Sequence, residues 1–224
     1  MTPEDYARAR RLLLRRDPVL AELIRKHGPC GLAAAQRADH FSALVRAITG
    51  QQLSTKASAT IYGRLAALMP GGVRPEALAA LPDDQLRAVG VSRQKAAYFR
   101  DLCEKVLTGA LPLHAPEPLG DGVQDAAASG RNKTSLDTMS DEEVIAALTQ
   151  VKGIGRWSAE MFLIFRLHRP DVLPVGDLGI VNAVKNVYGL RKPPTPERIR
   201  KIGAAWQPYR SVASWYLWRS LDNE

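Results

Sequence analysis

Apolar residues recur along this chain at the three-to-four-residue spacing of helices, and capping residues stand where the runs begin. Thr2-Pro3-Glu4-Asp5 predicts an N-cap, a proline in the first turn and an acidic start. Asp17-Pro18 opens a second helix with Val19, Leu20, Leu23 and Ile24 on one face. Phe41, Leu44, Val45 and Ile48 follow the i, i+3, i+4, i+7 rule, and Ala57, Ile61, Leu65 and Leu68 do so after Ser54. Ser92 caps a run carrying Ala96, Phe99, Cys103 and Val106. Ser140-Asp141-Glu142-Glu143 reads as a capping box ahead of Val144, Ile145 and Leu148. Ile180, Val184 and Val187 follow Asp177, and Thr195-Pro196-Glu197 starts a helix with Ile199 and Ile202. Pro208 is expected to open the last helix, through Val212, Trp215 and Leu221. No run alternates with period two. The pattern predicts an all-α chain of roughly ten helices with short joints.

One window breaks the rhythm. Residues 111–139 hold Pro112, Pro116, Pro118, Gly120, Gly122 and Gly130 and few large apolar groups. They predict a flexible insertion, either a DNA-contacting loop helped by Arg131 and Lys133 or an uncommitted surface segment.

Length and composition narrow the class. The 224 residues are 46% hydrophobic and 24% charged, enough for a well-formed core in one domain or two small ones. No stretch approaches the ~18 apolar residues of a membrane span. Leu12-Leu13-Leu14 is cut off by Arg15-Arg16, too short for a signal-peptide core. A soluble cytoplasmic protein is expected, associated with the nucleoid in a prokaryote. Lys and Arg total 31 against 23 Asp and Glu, a net charge of +8, which favours a polyanionic partner, nucleic acid first. Cys30 and Cys103 are too few for an iron–sulfur cluster or a four-cysteine zinc site. His27, His40, His114 and His168 are scattered, so no metal-dependent centre is expected from these side chains.

The most informative stretch is Thr149-Gln150-Val151-Lys152-Gly153-Ile154-Gly155-Arg156-Trp157-Ser158-Ala159. One helix ends near Thr149 and another begins near Gly155. Glycines two apart permit positive φ and close approach of the backbone to a ligand. Amides at the start of the next helix then point outward with the positive dipole end behind them, a device that grips a phosphate without reading sequence. Ile154 would pin the turn into the core. Leu86-Arg87-Ala88-Val89-Gly90-Val91-Ser92 is a weaker echo, readable as a second backbone clamp or as a plain helix joint.

Downstream lies Val172-Leu173-Pro174-Val175-Gly176-Asp177-Leu178-Gly179-Ile180. Pro174 and Gly176 impose a bend, and Asp177 stands at an N-cap position. It reads as a cap, or as a carboxylate aimed by a helix N-terminus into whatever lies before it.

Hairpin, bend and aspartate in this order resemble the HhH-GPD superfamily of DNA glycosylases, and within it the 3-methyladenine DNA glycosylase II (AlkA-like) group. The resemblance spans residues 17–221 apart from the 111–139 insertion. It is carried by V-K-G-I-G-R-W-S-A, by Asp17-Pro18-Val19-Leu20, by Phe41 to Ile48, by Gly50-Gln51-Gln52-Leu53-Ser54 and by Trp206 to Ser211. Well-known members also carry an N-terminal β-rich domain, for which this chain has no room.

The resemblance implies a single domain over 1–224, two helical subdomains flanking a DNA-binding cleft, and a helix–hairpin–helix at about 142–167. It implies a monomeric hydrolase that removes 3-methyladenine, 7-methylguanine and related bases from damaged double-stranded DNA. Asp177 matches the aspartate essential for excision. Trp157 and Trp218 match positions facing the extruded base, and Met161 stands where a relative has tyrosine. Gln51, Gln52 and Leu53 match the loop that wedges into the duplex, with Gln52 at the intercalating position and Leu53 as a second candidate. Lys152, Gly153, Gly155 and Arg156 would contact phosphate. Superfamily members that also cut the strand place a Schiff-base lysine where Trp157 stands, so a monofunctional enzyme is expected. Carbonyls of Thr149, Val151 and Ile154 would hold Na+ or K+, as in relatives. No other cofactor is expected. The alternative from another class is a non-catalytic helix–hairpin–helix DNA-binding protein, which leaves Asp177 and the tryptophans unexplained.

Overall fold

A computed structural model describes residues 1–34, 39–113 and 135–222 of the chain. The described residues are all-helical. In order they form α1 (Pro3–Arg16), α2 (Pro18–His27), α3 (His40–Gly50), α4 (Thr55–Ala67), α5 (Pro75–Ala80), α6 (Asp83–Ala88), α7 (Arg93–Leu107), α8 (Asp141–Thr149), α9 (Arg156–Phe165), α10 (Leu178–Val187), α11 (Pro196–Gly203) and α12 (Arg210–Arg219). Short 3-10 turns occupy Gly31–Ala34 and Ala204–Trp206. None of these helices is long and apolar enough to cross a membrane.

The predicted caps are in place because each supplies an oxygen to amides that a helix start leaves without partners. Thr2 and Ser140 close reciprocal capping boxes with Asp5 and Glu143. Ser54, Ser92, Asp177 and Thr195 each accept an amide of the first turn. α5 and α6, at six residues each, are too short to reveal a helical repeat, and the periodic pattern misses them. The last helix starts at Arg210, not Pro208, because Tyr209 N–H first closes a turn onto Trp206 O at 2.8 Å. It ends at Arg219, so Leu221 lies beyond it.

The loop expected over 111–139 is too wide at both ends. Leu111, Leu113 and Leu136 are buried, and Leu136 N–H donates to Pro112 O at 3.3 Å. Burying these leucines removes apolar area from water and seats the flanks on the core. Residues 114–134, including Arg131 and Lys133, lie outside the described residues.

The chain divides into two compact units. The first joins Met1–Arg37 to Glu160–Glu224. Its core gathers Leu13, Leu20, Ile24, Ile180, Val184, Trp206, Val212, Tyr216 and Leu217. Asp17 is its polar keystone. One carboxylate oxygen caps α2 through Val19 and Leu20 N–H, both at 3.0 Å. The other accepts from the Tyr188 hydroxyl at 2.5 Å and Trp206 Nε1 at 2.8 Å. Burial and the nearby carboxylate push the Tyr188 pKa up, which keeps the phenol a donor.

The second unit is Ala38–Ala159. Phe41, Leu44, Val45, Ile48, Leu65, Leu78, Leu86, Phe99 and Leu102 form its core. α7 is its central strut, packed against α3, α5 and α6. Arg100 of α7 donates to the carbonyls of Leu78, Ala79 and Leu81 around the end of α5. Cys30 and Cys103 are both buried free thiols, and burial raises their pKa to about 12 and about 11.

Candidate active site and nucleic-acid interface

Asp177 sits where the sequence places it, as the N-cap of α10. Its side chain is 9% exposed. Oδ1 accepts from the Ile180 amide at 2.8 Å and from the Trp218 indole Nε1 at 2.9 Å. Two donors on one oxygen restrict the rotamer and aim the carboxylate.

The approach to α10 is anchored on α12. Arg210 grips Asp171 with two hydrogen bonds, 2.7 and 2.8 Å. Ser211 Oγ accepts from Val172 N–H at 3.0 Å and donates to Arg169 O at 2.6 Å. A turn then closes from Asp177 N–H to Pro174 O at 3.0 Å. Trp218 lies seven residues beyond Ser211, two helical turns on and on the same face of α12. One helix therefore holds both the loop and the tryptophan that meets its aspartate.

Gly179 makes that meeting possible. A Cβ there would stand 2.9 Å from Asp177 Oδ1 and 3.0 Å from Trp218 Cδ1. The sequence signal for this role is slight, a small residue two positions after the aspartate.

Trp218 was expected to face a base. It is half-buried, with its N–H edge on Asp177 and its ring stacked on Phe165 at 5.6 Å and 27°. Phe165 is a second residue the sequence reading misses. Its signal is spacing, since Trp157, Met161 and Phe165 recur every four residues along α9. Trp157 is 51% exposed, and in the first unit Phe165 is 43% and Leu178 72% exposed.

The helix–hairpin–helix is α8, a tight turn and α9. Ile154 N–H donates to Val151 O at 3.0 Å, and both residues are buried, so Ile154 pins the turn as expected. The two glycines play different parts. Gly153 has φ +83°, and a Cβ on it would lie 2.2 Å from the Tyr98 ring, so the close approach here is internal. Gly155 has nothing within 4 Å of its would-be Cβ and leaves its surface open to a ligand.

Lys152 and Arg156 are exposed. The Arg156 guanidinium forms a forked pair with Glu142, whose pKa it lowers. Lys152 N–H donates to Asp101 Oδ2 at 2.9 Å, and its ammonium stands 3.7 Å from Oδ1. Asp101 also holds Lys105 Nζ at 2.8 Å. Burial pushes the Asp101 pKa up, but the bonds from Lys105 and Lys152 outweigh it and leave the pKa below the ordinary 3.8. A carboxyl with a lowered folded pKa contributes stability above the unfolded value, lost as pH falls through the folded one. Unfolding of wild type and Asp101→Asn by urea should therefore differ by a constant amount at neutral pH. The difference should shrink below pH 3.8. A gap unchanged at pH 2 to 3 would show that the carboxylate charge does not brace the hairpin.

Gln51, Gln52 and Leu53, the residues expected to form the wedge, differ in setting. Gln51 turns away, its Nε2 donating to Gly153 O at 2.7 Å. Gln52 is exposed with φ +59°, and Leu53 is 39% exposed. Lys95 Nζ donates to Thr49 O at 2.7 Å and Gln51 O at 3.0 Å, and burial lowers its pKa. The weaker echo at Gly90 is an α6–α7 joint, with Val91 N–H on Leu86 O at 3.0 Å.

Comparison with known proteins agrees with this architecture. Residues 45–208 match the family model of the HhH-GPD superfamily base excision DNA repair proteins. A DNA-3-methyladenine glycosylase 1 of Schizosaccharomyces pombe is 33% identical over 187 residues, covering 83% of this chain and 74% of that relative. The structure of an S. pombe 3-methyladenine DNA glycosylase (Mag1) in complex with abasic DNA superposes with a TM-score of 0.74 at 30% identity, over 95% of this chain and 96% of that one. A DNA-3-methyladenine glycosidase from Bacillus halodurans gives 0.74 at 35% identity, over 93% and 86%.

Proposed function

The chain belongs to the HhH-GPD superfamily of base excision DNA repair proteins, and on that premise we propose that it is a monomeric DNA glycosylase that excises alkylated bases from duplex DNA without cutting the strand. The observation that carries the reading is Asp177, a carboxylate held by two donors, one of them the indole of Trp218, which stacks on the exposed Phe165. A cap alone calls for neither the indole donor nor the glycine that admits it. The resemblance to 3-methyladenine glycosylases supplies the substrate class.

The target bond is inaccessible inside a duplex, so the nucleotide must be rotated out, at a cost of a few kcal/mol. Gln52 and Leu53 fill the vacated place, as wedge residues do. Amides around Gly155, the Lys152 ammonium and Arg156 grip the strand backbone. Trp157 and Met161 receive the base; an indole face attracts a cationic alkylated purine by ~0.5–2 kcal/mol. Trp218 contributes chiefly by holding Asp177.

Asp177 stabilises positive charge at C1′ as the N-glycosidic bond breaks. The bonding electrons leave with the base, which thereby loses its own positive charge. Water then bonds to C1′, and its spare proton passes to the carboxylate and on to solvent. Alkylation has already activated the leaving group, so no strong acid is needed.

The hairpin carbonyls of Thr149, Val151 and Ile154 would supply an all-oxygen backbone donor set, the Thr149 hydroxyl being engaged with Ile145 O at 2.8 Å. Such a set suits a monovalent cation, which would stiffen the turn beneath the phosphate.

Chromatography of bases released from a panel of alkylated duplexes tests the proposal, with borohydride present in parallel. Free alkylated base and no trapped protein–DNA adduct are expected. An adduct would overturn the monofunctional assignment. Release of no base from any lesion would leave only DNA binding.

A further inference from the structure

Gln51, beside Gln52 and Leu53, is bonded to the hairpin. We propose that Gln51 is a positioning residue, a latch that locks the wedge loop to the phosphate-gripping hairpin, so that insertion into the duplex and backbone grip act as one rigid piece. This rests on the glycosylase reading above.

Three observations carry it, all within the second unit. Gln51 Nε2 donates to the carbonyl of Gly153, the hairpin's left-handed residue. That carbonyl belongs to a residue whose position is already set by the Tyr98 ring packed against it and by Lys152 N–H on Asp101 next door. Lys95 holds the same loop from its other side, through the carbonyls of Thr49 and Gln51. Lys95, Tyr98 and Asp101 all lie on α7. The loop and the hairpin, 102 residues apart in sequence at the Gln51–Gly153 bond, are thus tied to each other and to one helix.

The loop needs such a tie. Gln52 sits at φ +59°, a conformation costly for a residue with a Cβ. A strained tip persists only where its surroundings over-determine it. Without the latch, the tip can relax when it meets a stacked base pair, and the force needed to open the stack is lost. Grip on the phosphates should survive.

The experiment compares wild type with Gln51→Met, which keeps the length and removes the donor. Single-turnover excision at saturating enzyme is measured on one alkylated lesion in two contexts, paired in a duplex and unpaired in a bulge. Loss of this exposed hydrogen bond at a rate-determining contact predicts a roughly fivefold slower reaction on the paired lesion. The bulged lesion, already unstacked, should slow by no more than about twofold. Affinity for undamaged duplex should keep its salt dependence, because phosphate contacts set it. A 2-aminopurine beside the paired lesion should brighten with wild type and less so with the variant. Gln51→Lys, which restores a donor of similar reach, should recover the paired-to-bulged ratio.

An equal slowing on both substrates, or no slowing, overturns the latch. Release of no base by wild type would instead defeat the glycosylase reading, and the 2-aminopurine signal alone would then decide the latch.

Discussion

Asp177→Asn should abolish excision of alkylated bases while the protein stays folded. Asparagine caps a helix about as well as aspartate, so the bond to Ile180 N–H survives in the amide oxygen. That oxygen can also accept from Trp218 Nε1. Stability by urea denaturation should therefore change by less than about 1 kcal/mol. The variant lacks the negative charge that, on the proposed mechanism, faces C1′ as the base departs. Losing one charge-stabilising group aimed at a transition state costs about 10²- to 10³-fold, and a full charge opposite a developing cation should lie at or beyond the upper end. Binding to undamaged duplex should be unaffected, because no phosphate contact has been removed. Equal base release by wild type and Asp177→Asn would reduce the aspartate to a cap and remove the catalytic assignment with it.

Gly153→Ala should unfold the hairpin's geometry, and Gly155→Ala should not. At Gly153 two costs combine. Alanine at φ +83° is strained by ~1–2 kcal/mol. Its methyl group would also stand 2.2 Å from Tyr98 Cδ2, an overlap that forces the ring or the turn to move at a further ~1–3 kcal/mol. A total of about 2–5 kcal/mol is a large share of a domain's stability. Adding Tyr98→Ala should recover the steric part and leave the backbone part. Gly155→Ala meets nothing within 4 Å, so stability should move by no more than ~0.5 kcal/mol. Its methyl would stand beside the amides at the start of α9, where a phosphate must come close, and duplex affinity should fall about tenfold. Wild-type affinity in Gly155→Ala would show that DNA backbone does not approach there.

Much of this protein is written locally. The caps at Thr2, Asp17, Ser54, Ser92, Ser140, Asp177 and Thr195 are legible because each is a contact within one helical turn, between a side-chain oxygen and an amide three residues or fewer away. The glycine turn before α9 is legible for the same reason. α5 and α6 are hidden because six residues cannot display a period. The edges of the 111–139 window are hidden because Leu111, Leu113 and Leu136 look like loop residues until the core that covers them is seen.

The functional site divides along the same line. The proposed catalytic residue, Asp177, and the exposed Trp157 follow from motif and position. What holds them does not. Trp218 is separated from Asp177 by 41 residues and Gln51 from Gly153 by 102, and no spacing rule links such pairs. The sequence by itself determined the helices, the turn and the charge, because these depend on neighbours in the chain. Only the tertiary structure decided that an indole edge rather than its face meets the aspartate, that the Tyr98 ring fills the space beside Gly153, and that Gln51 bonds to the hairpin. Each depends on which distant side chain arrives first at a hydrogen-bonding group, and that is settled by packing.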